Sequence, residues 1–318
     1  MRALRRRALG VALGLVLDQV LPEPPTSWHP VAAFGHVMTT VEHALWADSR
    51  RAGAAYATTG VVLGALTGRC VGRLPVVLGG CVAGSELRRV ATVVERRLLA
   101  GDLEGARAAL PALVGRDPRD LDASGISAAV IESLAENAVD AVVAPVCWAL
   151  LGGSTGAAAY RAVNTMDAMV GHRHRRYRRF GTVAARLDDV ANWVPARVYA
   201  ALVMLARPLA AHRVVRTIRR DAPAHPSPNA GVAEAAMAAV LGVELGGPLR
   251  YGAQRQQRPC LGQGPRPAPG DIATAIAVSR RVELLLVLGL LTVGPWRGSD
   301  PLAQQHPAGC LDRRPRTD

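Results

Sequence analysis

The hydrophobic residues of this 318-residue chain are gathered into blocks separated by Arg-, Pro- and Gly-rich stretches. After Arg2, Arg5, Arg6 and Arg7 an apolar run reaches Leu21. No small-x-small cleavage site follows it, so it reads as a retained helix with Asp18 near its end. Residues 22–37 read as a Pro-rich loop containing His29. Residues 52–68 are uncharged and at the short limit for a membrane crossing, whereas 74–85 is too short to cross by itself and either extends the next helix or packs as a re-entrant piece. From Glu86 to Arg119 the period changes. Leu87, Val90, Val93, Val94 and Leu98 share one helical face with Arg and Glu opposite, which predicts a water-facing helical hairpin broken near Gly101 and Gly115.

The next apolar stretch carries the most informative polar pattern. Ser124 is placed to cap its helix, and within that helix Glu132, Glu136 and Asp140 recur every four residues. That interval stacks them along one stripe, with small or apolar residues between them and no charge from Ala141 to Tyr160. Like charges so spaced weaken a helix by about 0.2–0.5 kcal/mol per pair, so the stripe needs a cation, a metal–phosphate pair, a proton or an internal partner. Beyond the Gly152-Gly153 break, Arg161, Asn164 and Asp167 again share a face, and a basic loop follows between Gly171 and Gly181. Arg186, Asp188, Asp189, Asn192 and Arg197 open another apolar helix, reaching about Leu209. Pro223, Pro226 and Pro228 forbid a continuous helix around His225. Asn229 begins a helix of small residues, Val232 to Leu241, that ends by Gly246-Gly247-Pro248, and 250–270 reads as a loop. Asp271 caps a last helix running through the Leu-rich segment 282–293. No strand alternation and no internal repeat is visible. The pattern predicts an all-α, multi-pass helical membrane protein with cytoplasmic amphipathic helices and loops: a single domain over 1–296 and a disordered tail over 297–318.

Composition sharpens this in three respects. Half the residues are hydrophobic but only 4% are aromatic, and the abundant Gly and Ala favour close helix–helix approach. The net charge of +13 comes from scattered Arg residues without an aromatic platform or a reading helix. It therefore argues for a membrane surface and against nucleic acid. Cys70, Cys81, Cys147, Cys260 and Cys310 are odd in number and form no CxxC pair, which argues against a disulfide framework and a zinc site.

The polar clusters share carboxylate, Asn and Arg beside apolar helix. Carboxylates and amides suit Mg²⁺, which is commonly held by one or two carboxylates plus substrate phosphates. Arg suits phosphate or carboxylate through its rigid fork. Together they fit a site that handles phosphoryl groups, and no P-loop, GxGxxG, HExxH or GxSxG motif is present. The bland alternative is a set of buried ion pairs, Glu132, Asp140, Arg161 and Arg186 among them, that fix helix register.

These motifs carry a resemblance. Glu132-Ser133-Leu134-Ala135-Glu136-Asn137-x-x-Asp140, Tyr160-Arg161-Ala162-Val163-Asn164-Thr165-Met166-Asp167 and Arg186-Leu187-Asp188-Asp189-x-x-Asn192-Trp193-x-Pro195-Ala196-Arg197 are long and ordered. So are His225-Pro226-Ser227-Pro228-Asn229-Ala230-Gly231 and Leu245-Gly246-Gly247-Pro248. The chain resembles the CobD/CbiB family of cobalamin biosynthesis, the adenosylcobinamide-phosphate synthases, from Asp18 to about Gly264. It departs from the family pattern at Pro22-Glu23-Pro24, where Gly-Asp-Pro is usual, and at Ala138 and Ala141, where Thr and Gly are usual. Val232-Ala233 stands for Trp-Pro, and Leu249 for Asn.

The resemblance implies a multi-pass protein of the inner cell membrane with its active site on the cytoplasmic side. It implies an ATP-dependent acid–amine ligase that joins adenosylcobyric acid to aminopropanol or its phosphate. ATP and Mg²⁺ are the expected cofactors, with the corrinoid a substrate. Membrane lipid and other late enzymes of the pathway are the expected partners, and nucleic acid is not one. Within that activity, Glu136, Asp140, Asp188 and Asp189 would hold Mg²⁺ between phosphates, and Arg161, Arg186 and Arg197 would bind phosphate. His225 or Glu132 would take a proton from the attacking ammonium, in a catalytic set with Glu136 and Asp140. Asn137, Asn164, Asp167, Asn192 and Asn229 would complete the binding set. Two other classes compete: an ion-coupled secondary transporter, for which intramembrane carboxylates and broken helices are typical, and a Mg²⁺-dependent, diphosphate-using membrane transferase, whose usual Asp-x-x-x-Asp spacing is absent at Asp188.

Overall fold

The computed structural model describes residues 2–21, 29–115, 117–172, 175–251 and 254–293. The loop turn at Pro22-Glu23-Pro24 and the tail 297–318 lie outside these residues. Thirteen α-helices account for most of the described chain: α1 (Arg2–Val20), α2 (Pro30–Leu45), α3 (Arg50–Val71), α4 (Leu74–Gly79), α5 (Gly84–Leu99), α6 (Leu103–Ala109), α7 (Ala123–Ala138), α8 (Ala144–Val170), α9 (Thr182–Ala191), α10 (Trp193–Ala206), α11 (Ala211–Asp221), α12 (Ala230–Leu241) and α13 (Asp271–Val293). The all-α expectation holds. The segment read as a strandless loop is the exception. It forms two short antiparallel ladders, β1 (Glu244–Leu245) with β4 (Leu261–Gly262), and β2 (Pro248–Tyr251) with β3 (Gln254–Gln257).

The helices surround two buried central elements. In α7 every residue from Ile126 to Ala135 is buried, and in α12 so is every residue from Ala230 to Ala239. Helices buried on every side are interior, and Glu132 on α7 and Glu234 on α12 are buried with them. They form the main core with α5, α10 and α13. A second core joins α1 and α4 to the first half of α8, and a third joins α2 and α3 to its second half and to α9. The close packing of α3 on α8 depends on glycine. A Cβ at Gly68 would lie 2.3 Å from the Ser154 carbonyl oxygen, and one at Gly64 would lie 2.8 Å from that of Ala158.

Two irregularities set the direction of the central helices. Between α7 and α8 the chain makes a wide π-type turn over Val139–Val143, and α8 is kinked at Gly153 (φ 63°, ψ −148°), a conformation open to glycine. The cap of α7 differs from expectation. The Asp122 carboxylate, not Ser124, accepts the Gly125 N–H at 2.7 Å, because Asp122 is the residue held in extended conformation before the first turn.

Among the described residues one continuous helical stretch, Ala123–Val170, is long and apolar enough to cross a membrane. A second qualifies if Trp193–Ala206 and Pro208–Ala224, bent by 114°, are taken as one broken span. The core helix of a soluble protein satisfies the same criterion. Other long helices carry charges, such as Arg5, Arg6 and Arg7 in α1 and Arg280, Arg281 and Glu283 in α13.

Candidate functional site

The cluster forms where the π-turn, the end of α8 and the α9–α10 junction meet. The Asn164 side-chain amide donates to Asp140 Oδ2 at 3.1 Å and to Asp188 Oδ1 at 3.3 Å, so carboxylates from two separate segments converge on one nitrogen. Arg161 donates to Asn164 Oδ1 at 3.2 Å, which fixes the amide with its NH₂ toward the acids. A second amide repeats the arrangement. Asn192, fully buried, donates to Asp188 Oδ2 at 2.9 Å and accepts the Tyr160 hydroxyl proton on Oδ1 at 2.8 Å. Tyr160 is one turn before Asn164 on α8, so both reach the same side of the helix.

An outer row extends the cluster toward α12. Asn229 donates to the backbone carbonyl of Asp189 at 2.7 Å and accepts from Arg197 at 2.9 Å, while the Arg197 guanidinium lies 4.4 Å from the centre of the Trp193 ring. Asp167 completes the acidic group, since it feels the charges of Asp188, Asp189 and Glu136, and Asp140 feels those of Asp188, Glu136 and Arg161. Five carboxylates therefore act on one another across this region with Arg161 in their midst. Burial pushes the Asp188 carboxyl above its usual range, opposed by the two amide hydrogen bonds and reinforced by Asp189, and burial alone raises Asp189. An extra cation would relieve this concentration of charge.

Among the described residues no three His, Cys, Asp or Glu side chains are assembled as a ready cage for a metal ion. Two carboxylates, Asp140 and Asp188, converge on Asn164, and one or two carboxylates is the number by which Mg²⁺ is commonly held when water and phosphate fill its other positions. Glu136 is exposed on α7, and Asn137 is tied to its own helix through Ser133 at 3.0 Å. Arg186 is exposed and has no side-chain hydrogen bond among the described residues.

Glu132 and His225 belong to a second polar group. The stripe of three acids is divided by its surroundings: within α7 Glu132 is buried and Glu136, one turn on, is exposed, and a π-turn intervenes before Asp140. Glu132 is buried beneath the β1–β4 segment, where it accepts the Gly246 N–H at 2.8 Å and lies 3.8 Å from Arg258. A Cβ at Gly246 (φ 73°) would lie 2.1 Å from the Pro259 carbonyl oxygen, so this contact needs glycine. His225 accepts the Ser227 N–H on Nδ1 at 3.1 Å, and its Nε2 is 3.8 Å from the Glu234 carboxylate. Burial lowers its pKa, opposed by the Ser227 backbone and the Glu132 charge. Tyr160, Trp193, Glu234 and Arg258 are members of these networks that sequence reasoning missed. Tyr160 and Trp193 left a signal, each standing in a quoted motif four residues before a site residue, Asn164 and Arg197.

Away from both groups, Asp18 accepts the Ser85 N–H at 2.9 Å, and Gln19 and the Arg88–Glu283 ion pair tie α1, α5 and α13 together. The basic loop after Gly171 is anchored by Tyr177 and Arg176 on the buried Glu42.

An all-helical protein with an amide-bridged acidic cluster at a helix junction is thereby defined. The sequence places it within a family: the CobD/Cbib protein family matches residues 11–279, and the chain belongs to it. It is 43% identical over 290 residues to the cobalamin biosynthesis protein CobD of Mycobacterium tuberculosis, covering 87% of this chain and 92% of the relative. It is 40% identical over 292 residues to the protein of the same name from Chromobacterium violaceum, covering 86% and 92%. A third, from Rhodobacter capsulatus, is 47% identical over 203 residues, covering 63% and 64%. No solved structure matches the chain. Membership makes this a protein of cobalamin biosynthesis.

Proposed function

We propose that the protein is a membrane-embedded synthase that joins a corrinoid carboxylic acid to aminopropanol or its phosphate through an amide bond, with ATP consumed. The observation that carries this reading is the convergence of Asp140 and Asp188 on Asn164 beside Arg161. A carboxylate and an ammonium do not condense unaided in water. Phosphoryl transfer from ATP to the carboxylate releases ADP and gives an acyl phosphate; the amine then attacks the carbonyl carbon and phosphate leaves. Mg²⁺ held by Asp140 and Asp188 would supply charge neutralisation to the phosphates.

The chain's own residues do the rest. Asn164 and Asn192 hold the two carboxylates in fixed orientation, and Arg161 and Arg197 offer guanidinium forks to anionic oxygens. Arg186, exposed, is available to a phosphate of the incoming substrate. Glu136, exposed at the edge of the cluster, takes the proton of the attacking ammonium. Glu132, which accepts the Gly246 N–H, and His225, whose Nδ1 is bonded to Ser227, are assigned to positioning.

Support for a multi-pass membrane setting comes from outward apolar faces. Leu9, Leu13, Val16 and Val20 on α1, and Leu284, Leu288 and Leu291 on α13, are exposed at helical intervals that put each set on one side. Lipid is the natural neighbour of such faces. The test is incubation of the purified protein with adenosylcobyric acid, ATP, Mg²⁺ and aminopropanol phosphate. Product of amide mass with ADP in equal amount is expected; ATP-independent movement of substrate into proteoliposomes, without product, overturns the reading.

A further inference from the structure

The Arg-rich loop before Gly181 takes no part in either polar group, yet it is firmly held. Tyr177 donates to the buried Glu42 at 2.9 Å, and Arg176 reaches the same carboxylate at 3.2 Å while lying 4.7 Å from the centre of the Trp46 ring. Phe180 is buried, its ring centre 5.1 Å from that of Tyr56. Helices α3 and α8 run antiparallel, since Gly53, Gly60, Gly64 and Gly68 face Phe180, Met166, Ala162 and Ser154 in that order. The loop is thereby laid on the first turn of α3. Arg175, Arg178 and Arg179 of the loop and Arg50 and Arg51 of α3 are all exposed at this end. Arg179 has one long ion pair, with Asp48 at 3.9 Å, and the other four have no carboxylate partner among the described residues.

Two neighbouring features say which anion such a surface takes. Trp46 and Leu45, at the end of α2, are exposed on the same side of the α2–α3 turn as the ring contact with Arg176. Directly after Arg51, residues 52–68 carry no charge, about 26 Å of helix and close to the thickness of a bilayer's hydrocarbon core. Val62 and Leu66 are exposed one turn apart along it. Arginine and tryptophan at the end of an uncharged helix belong at the headgroup layer of a membrane. A soluble anion would use neither the aromatic edge nor the helix.

We propose that this end of the molecule is a docking surface for anionic phospholipid. Arg50, Arg51, Arg175, Arg178 and Arg179 meet the headgroup phosphates, and Trp46 and Leu45 enter the acyl boundary. The surface rests on the membrane setting given above and not on the amide chemistry. It also sets the depth of the acidic cluster, because Asn164 is only about two turns of α8, or about 10 Å, from the loop.

Trp46 is the reporter. Full-length protein in detergent is titrated with phosphatidylglycerol brominated in its acyl chains, and tryptophan quenching is read against a Trp46→Phe protein, which keeps an aromatic ring for Arg176. A component of quenching that disappears in Trp46→Phe is expected, and brominated phosphatidylcholine should produce it only weakly. Arg175→Gln/Arg178→Gln alters two exposed side chains with no ion pair to lose, so the fold is at little risk. It should weaken the response to phosphatidylglycerol about fivefold for each arginine removed. Arg216→Gln/Arg219→Gln, which takes the same charge from exposed positions on α11, should leave it unchanged.

Equal quenching by the two lipids, or equal weakening in the α11 variant, overturns the proposal. So does displacement of the lipid by ATP or inorganic phosphate beyond that caused by chloride at the same ionic strength, which would assign the arginines to a soluble anion. Amide synthesis by a protein whose Trp46 shows no quenching defeats the surface alone. Selective quenching by phosphatidylglycerol without amide synthesis under any condition defeats the synthase reading and leaves the surface standing.

Discussion

Replacing Asn164 by Ala removes the one group that both convergent carboxylates share. Three hydrogen bonds go with it: to Asp140 at 3.1 Å, to Asp188 at 3.3 Å and from Arg161 at 3.2 Å. A hydrogen bond to a charged group contributes about 1.5–3 kcal/mol net, and these lengths put both carboxylate bonds at the weak end, so those two alone account for about 3 kcal/mol of positioning energy. Asp188 keeps Asn192 as a donor, whereas Asp140 loses its one side-chain donor among the bonds described here. If the two acids must be aligned for phosphoryl transfer, kcat/KM for amide formation should fall about 100-fold, since about 1.4 kcal/mol is a factor of ten. Steady-state amide formation and thermal unfolding of the same detergent-purified preparation check this together. Near wild-type kcat/KM in a folded Asn164→Ala protein would refute the reasoning, because the shared amide would then be only a packing detail.

Glu132 separates structural from catalytic roles. Glu132→Gln keeps an acceptor for the Gly246 N–H and should retain activity at a stability cost of about 1 kcal/mol, whereas Glu132→Ala, which leaves that N–H unmatched, should cost about 1–3 kcal/mol by thermal melting. Asp188 has a folded-state pKa raised chiefly by burial, so its contribution to stability is fully present below its unfolded pKa and is lost as pH rises through the folded value. Asp188→Asn should therefore be more stable than wild type at pH 8, by denaturant titration, while losing amide synthesis; a less stable variant would contradict the burial argument. His225, with its pKa lowered by burial and Nδ1 occupied by Ser227, should impose no limb on the pH–rate profile on the alkaline side of the ordinary histidine range. A His225→Gln protein should accordingly show the wild-type profile, and a lost limb would restore His225 as the base. Gly68→Val, whose Cβ would meet the Ser154 carbonyl at 2.3 Å, should part α3 from α8 and lower the melting temperature sharply.

The helices and the members of the acidic cluster were legible in the sequence because both depend on local spacing. Arg161 and Asn164 on one helix, and Asp188 and Asn192 one turn apart on another, could be paired off from their intervals alone. The division of the stripe could not, since Glu132 and Glu136 share a regular helix and only tertiary packing buries one and exposes the other. For the same reason Glu132 read as a partner of Asp140, although its contacts, Gly246 and Arg258, are more than a hundred residues away along the chain. The short ladders between Glu244 and Gly262 escaped because such pairing is non-local and these strands are too short to show alternation. Asp122 and Ser124 are both good capping residues two positions apart, and only backbone conformation distinguishes them.

The central claim is that this acidic cluster activates a carboxylate by phosphoryl transfer. The most direct measurement uses adenosylcobyric acid labelled with ¹⁸O in its carboxylate, with ATP, Mg²⁺ and aminopropanol phosphate, and reads the released phosphate by mass. Transfer of one ¹⁸O into phosphate for each amide formed, abolished in Asp188→Asn, is the predicted result. Amide product accompanied by unlabelled phosphate would contradict it.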